Sequence, residues 1–228
     1  ATGGHGGTGG HGATGGHGGT GGHGATGGHG ATGGHGAHGS ARALQPLLLT
    51  EQDVPELYVA GAGHHGRYPG AGSFRLRSGC APIAELIGTD PDVLQDEHPQ
   101  AHIGFSKSHV GPQLTETVID YGSVAAATKA LHRVERAVGD CPRYRQSGAR
   151  AGANVYTVAP LDFPAVGDAF TAVHLDAIGA DFADVLWDVV VARSGSHVVA
   201  VGFRTSTDSD PADLRRVVPT ALAKVDAG

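Results

Sequence analysis

Methionine occurs nowhere in the 228 residues, position 1 included. That absence predicts a chain whose front has been removed, by cleavage of a signal peptide or lipoprotein leader, with an omitted initiator or a trimmed chain as the plainer alternative. Long hydrophobic runs are missing too. The longest clear one is Leu47–Leu49, against the roughly 18 apolar residues that a membrane-spanning helix needs. Lysine is confined to Lys107, Lys129 and Lys224 beside thirteen arginines, and the net charge is −6. With no basic stripe, nucleic acid is not an expected partner.

Cysteine is scarce as well. Cys80 and Cys141 stand in neither a CxxC nor a metal-type spacing, so a disulfide is their simplest use and an oxidising compartment its implication. Two buried free thiols of a cytosolic protein are the alternative; a catalytic thiol has no nearby His or Asn in the sequence to support it.

Residues 1–40 lack Asp, Glu, Lys, Arg and Pro, and they lack any hydrophobic side chain larger than Ala. They hold 21 of the 39 glycines and 7 of the 15 histidines. Such a segment cannot bury enough apolar surface to offset the entropy of ordering it, so the expected division is a low-complexity tether over 1–40 and one folded domain over 41–228. From Thr2 the tether repeats Thr-Gly-Gly-His-Gly-(Gly/Ala), which places His5, His11, His17, His23, His29 and His35, followed by His38. In a triplet frame the glycines mimic collagen, but without proline a triple helix is not expected.

A coil with an r.m.s. reach of about 35 Å is the expectation. Extended, it sets successive histidines about 19 Å apart, too far to share one metal ion. The seven imidazoles therefore predict at most loose, exchangeable capture of Zn²⁺ or Cu²⁺; no other cofactor is expected. They also turn cationic below about pH 6, which would favour an anionic cell-surface polymer.

The body reads as α+β. Thr50 starts a single turn that ends at Pro55, and the glycine-rich stretch 58–73 reads as a loop. A short helix is expected over 82–87, strands over 101–109 and 112–121, and a helix capped by Ser123 and stopped by Gly139. Its apolar positions are Val124, Ala127, Leu131, Val134 and Val138, which leaves His132 on the solvent side. Further strands are expected over 153–158, 169–178, 184–193 and 196–205. Val185, Trp187, Val189 and Val191 share one face, and Val199, Val201 and Phe203 share another. Apolar residues on both sides of Val189–Val191 mark a central strand. Asp210 caps a closing helix with Pro211 at its first position and Pro219 kinking or splitting it. The expected architecture is a bent antiparallel sheet with two main helices packed on one face.

Catalytic motifs are absent: no G-x-S-x-G, P-loop, H-E-x-x-H or dinucleotide fingerprint occurs, and no enzyme is expected. Asp184 and Asp188 read as solvated edge charges without a partner base. The candidate ligand contacts are His64, His65, Arg67 and Tyr68 in the glycine-rich loop, together with Trp187 on the sheet.

One order of short strings is distinctive. It consists of Leu47-Leu48-Leu49-Thr50 with Asp53-Val54-Pro55, Cys80 ahead of a short helix, Tyr121-Gly122-Ser123 before a long helix that ends at Cys141, and Pro164-Ala165-Val166-Gly167-Asp168-Ala169. Over roughly residues 43–226 this order resembles the PknH-like extracellular sensor domain of actinobacteria. The resemblance implies an antiparallel sheet with packed helices, a cleft for a small ligand and a place outside the cytoplasm. The kinase-linked form has two disulfides, whereas this chain has cysteines for one and carries no kinase. The expectation is a secreted or lipid-anchored, non-catalytic binding or sensor-like module, whose partner is a small ligand or a component of the cell envelope.

Overall fold

The computed structural model describes residues 41–56, 58–60, 80–83, 98–107, 112–147, 153–178, 185–206 and 211–228. All lie within one compact unit, Gly36–Gly228. Ala41–Leu44 forms a single helical turn (α1), which passes into a 3-10 turn at Gln45–Leu47. The strands are β1 (Val59–Ala60), β2 (Gln100–Ser106), β3 (Gln113–Asp120), β4 (Arg143–Ser147), β5 (Ala153–Pro160), β6 (Ala169–Ile178), β7 (Val185–Ser194) and β8 (His197–Thr205). Two long helices, α2 (Val124–Asp140) and α3 (Ala212–Ala227), complete the described elements.

The strands join in one antiparallel sheet of order β1-β2-β3-β8-β7-β6-β5-β4. β7 and β8 meet through a two-residue turn, Gly195-Ser196, with Ser194 opposite His197 and Gly195 at φ 55°. Asp168 locks this turn: its Oδ2 accepts from Arg193 Nη1 at 2.7 Å and from Gly195 N at 3.0 Å, and its N–H donates to Arg193 O at 2.8 Å. Gly167, at φ 60°, lets the chain pass there, since a Cβ would sit 2.6 Å from Arg193 O. The Pro164–Ala169 string thus has a structural reason in this chain.

The α+β class and the antiparallel sheet are as the sequence predicts, but the helices lie on opposite faces rather than on one. Val190 and Ala192 of β7 pack with Leu214, Val217, Val218, Ala221 and Val225 of α3, whereas Val185, Trp187, Val189 and Val191 pack with Ala127, Leu131 and Val134 of α2. A central strand that is apolar on both sides needs cover on both sides, so one helix goes to each. Pro219 neither splits α3 nor ends it. It stands on the exposed side, where it removes one solvent-facing hydrogen bond while the buried stripe holds the turns on either side. Pro211 is the N-cap and not the first helical residue; Asp210 lies outside the described residues. Ser123 caps α2 by accepting from Ala126 N at 3.2 Å, and that helix runs through Gly139 to Asp140.

Cys80 and Cys141 form a disulfide with their Cα atoms 5.6 Å apart. It ties the C-terminal end of α2 to a turn in which residues 81–83 are helical; the rest of the short helix expected over 82–87 lies outside the described residues.

Candidate functional site: buried acids beneath the closing helix

A carboxyl group inside a sheet core costs stability unless it is paired, so each one requires a reason. Among the described residues, two stand on the α3 face, Glu116 on β3 and Asp188 on β7, both fully buried. Asp188 is therefore no solvated edge charge, as the sequence suggested. The β6–β7 register sets His174 directly across from it, and Asp188 Oδ1 lies 2.6 Å from His174 Nδ1. Asp184 lies outside the described residues.

The two partners differ in exposure. Asp188 is 0% exposed and His174 31%. An ionised carboxylate only accepts, so Nδ1 carries the proton and Nε2 is the atom left for another partner. The bond to Asp188 holds the His174 imidazole above its ordinary basicity, against the opposing effect of burial, and Asp176 adds a smaller push in the same direction. Asp176 lies two residues along on the same face of β6. Beside them on β5, Thr157 pairs with Asp176 and Ala159 with His174, and both β5 residues are exposed. Among the described residues, α3 packs on β7 and β8 and not on this strip of β5 and β6, which leaves Thr157 and Ala159 exposed.

Glu116 is enclosed differently. Its Oε2 accepts from Leu49 N at 2.6 Å, while its Oε1 is buried with no protein partner. Burial pushes its carboxyl up to about 7, although the Leu49 bond and Lys224 pull it down. Leu49 belongs to a strap, Leu48–Asp53, pinned on both sides. Lys224 Nζ reaches Asp53 Oδ2 at 2.8 Å and holds that carboxyl below its ordinary range. The same oxygen accepts from Thr50 N and Thr50 Oγ1, each at 2.7 Å, and Glu51 Oε1 accepts from Ala60 N at 2.9 Å. Farther on, Tyr58 OH donates to Asp213 Oδ2 at 3.2 Å, and Lys107 lies over the Tyr58 ring at 4.5 Å.

Trp187 stands on the other face of the sheet from His174. It is 8% exposed, with Tyr156 6.0 Å away between ring centroids and the Arg204 guanidinium over its ring at 5.3 Å. His64, His65, Arg67 and Tyr68 lie outside the described residues, as do His5, His11, His17, His23, His29, His35 and His38. Among the described residues, no group of three or more His, Cys, Asp and Glu is placed to hold a metal ion, and no helix is long and apolar enough to cross a membrane. The sequence did contain a signal for the pair. Pairing the expected strands 169–178 and 184–193 end to end sets His174 near Asp188; inspection of each strand alone does not.

No family model and no curated protein matches the chain. Among solved structures, the extracellular domain of PknH from Mycobacterium tuberculosis is similar at 13% identity and a TM-score of 0.45, over 56% of this chain and 63% of that one. The match thus spans less than two thirds of the PknH domain, and a likeness of this degree transfers neither ligand nor activity.

Proposed function

We propose that this chain is a non-catalytic binding or sensor-like module that works outside the cytoplasm, with its ligand contact on the open β5–β6 strip at His174. The observation that carries this reading is a fully buried carboxylate on a central strand whose partner is a half-exposed imidazole. An apolar residue at position 188 would serve the core better, so the pair is better explained by what His174 does at the surface. The strip suits a polar ligand that donates a hydrogen bond to Nε2 and tolerates the adjacent Asp176. The Cys80–Cys141 bond supports an oxidising compartment, and the order of sequence strings supports the sensor-like reading. Residues 1–40 serve as the tether, which keeps the strip clear of the surface to which the protein is held.

A metal-handling role is the second reading, favoured by the seven histidines at regular spacing. In it the tether collects Zn²⁺ or Cu²⁺ and the body docks to a partner. Native mass spectrometry of the full chain taken from the cells that make it separates the two readings. The first predicts a non-covalent small-molecule adduct that His174→Ala loses and that survives replacement of all seven tether histidines by Gln. An adduct unaffected by His174→Ala contradicts it. Zn or Cu adducts that vanish with the tether histidines favour the second.

A further inference from the structure

We infer that Glu116 is the latch of a pH-responsive strap: Leu48–Asp53 lies closed on the sheet while the Glu116 carboxyl is protonated, and it loosens when that carboxyl ionises. The inference rests on neither reading of the ligand. Its ground is a contact between strap and sheet in which one carboxyl oxygen binds Leu49 N at 2.6 Å and the other is buried without a partner. A neutral carboxyl brings no charge into the core and leaves a single O–H donor without a protein partner there. A carboxylate has room for about four donors and here receives one from the protein, so the remainder must come from water. Glu116 is fully buried, and its neighbours Leu49 and Val201 belong to the apolar core, so water reaches Oε1 only if the strap lifts.

The charged groups facing Glu116 do not relieve it. Its strand partners, Ile103 on β2 and Val201 on β8, are apolar. From the strap, Asp53 repels it and Glu51 is engaged with Ala60 N. From α3, Lys224 attracts it but is committed to Asp53, Asp213 is held by Tyr58, Lys107 and Arg216, and Asp226 is bonded to Ser194. Also on this face, His174 and Asp188 are bonded to each other. The chain from residue 41 reaches the sheet through α1, which packs on β2 and β3, and then through the strap. Acid that charges the tether histidines would therefore close the body's own latch over the same range of pH.

Hydrogen exchange of the full chain, corrected for the intrinsic pH dependence of exchange, tests the latch. Between about pH 5.5 and about pH 8.5, amide protection over residues 44–56 is expected to fall by roughly tenfold or more while α2 holds its protection; Glu116→Gln stays protected throughout. The same fall in Glu116→Gln, or no fall in the unaltered chain, overturns the inference. A carboxyl-carbon NMR titration needs no variant. The Glu116 resonance is expected to titrate near neutrality with the Leu49 amide moving in step, and titration in the ordinary carboxylate range overturns the latch.

Discussion

Replacement of Cys80 and Cys141 by Ala lowers the stability of the folded body by about 4 kcal/mol, the largest effect expected of any change described above. The bond closes a span of 61 residues, and opening it restores to the unfolded chain the conformational freedom that so long a loop loses. Both cysteines are also buried in the core between α2 and the sheet, beside Ile83, Leu131 and Val134. Without the bond, the turn at 80–83 keeps only Ile83 as its buried apolar anchor among the described residues, so loss of the α2-side packing adds to the entropic cost. Guanidinium unfolding of the double variant, with the unaltered chain measured with and without reductant, checks this. Equal midpoints in all three would show that the bond contributes nothing. A count of two reactive thiols in protein taken from its cells would remove the argument for an oxidising compartment.

The second large effect is a decline in stability as pH rises. Glu116 is pushed up to about 7 in the folded state from its ordinary 4.5, so the folded chain holds a proton that the unfolded chain has released. The resulting stabilisation is complete below the unfolded value and is lost as pH climbs through the folded one, about 3 kcal/mol in all. His174 is also raised, and its contribution is likewise lost as pH rises through its folded value. Asp53 is lowered and acts oppositely, but only as acid carries pH down through carboxylate values. Stability should therefore decline from about pH 5 to about pH 8 instead of holding a plateau. Denaturation curves across that range are expected to show the decline in the unaltered chain and to show most of it gone in Glu116→Gln, which becomes the more stable of the two at the alkaline end. A pH-independent difference between the two proteins would mean that Glu116 does not titrate there.

The sheet was largely legible in the sequence because its central strands carry strong alternation and a turn that only glycine eases. Val185–Ser194 and His197–Thr205 come out within a residue or two of the expected spans, as does β6. What escaped was of two kinds. β4, Arg-Tyr-Arg-Gln-Ser, has no β-branched residue and exists as a strand because β5 pairs with it, which is information that no local window contains. The placement of the helices was misjudged although its signal was present, since the apolar residues on both sides of Val189–Val191 already required two covered faces.

The site was legible only in part for the same reason. Position 188 looked solvated when its strand was considered alone, and only the partner strand brings His174 to it. Glu116 gave no signal at all. It sits in an alternating strand as an ordinary polar residue would, and its burial follows from a strap about 67 residues away in the chain.

The claim on which the account turns is that Asp188 is buried in order to hold His174. Nitrogen NMR of the His174 ring across its titration, in the unaltered chain and in Asp188→Asn, tests it most directly. The account predicts a neutral ring protonated at Nδ1, a midpoint above the ordinary histidine value, and a fall in that midpoint with Asp188→Asn. A neutral ring protonated at Nε2, or a midpoint that Asp188→Asn leaves unchanged, would contradict it.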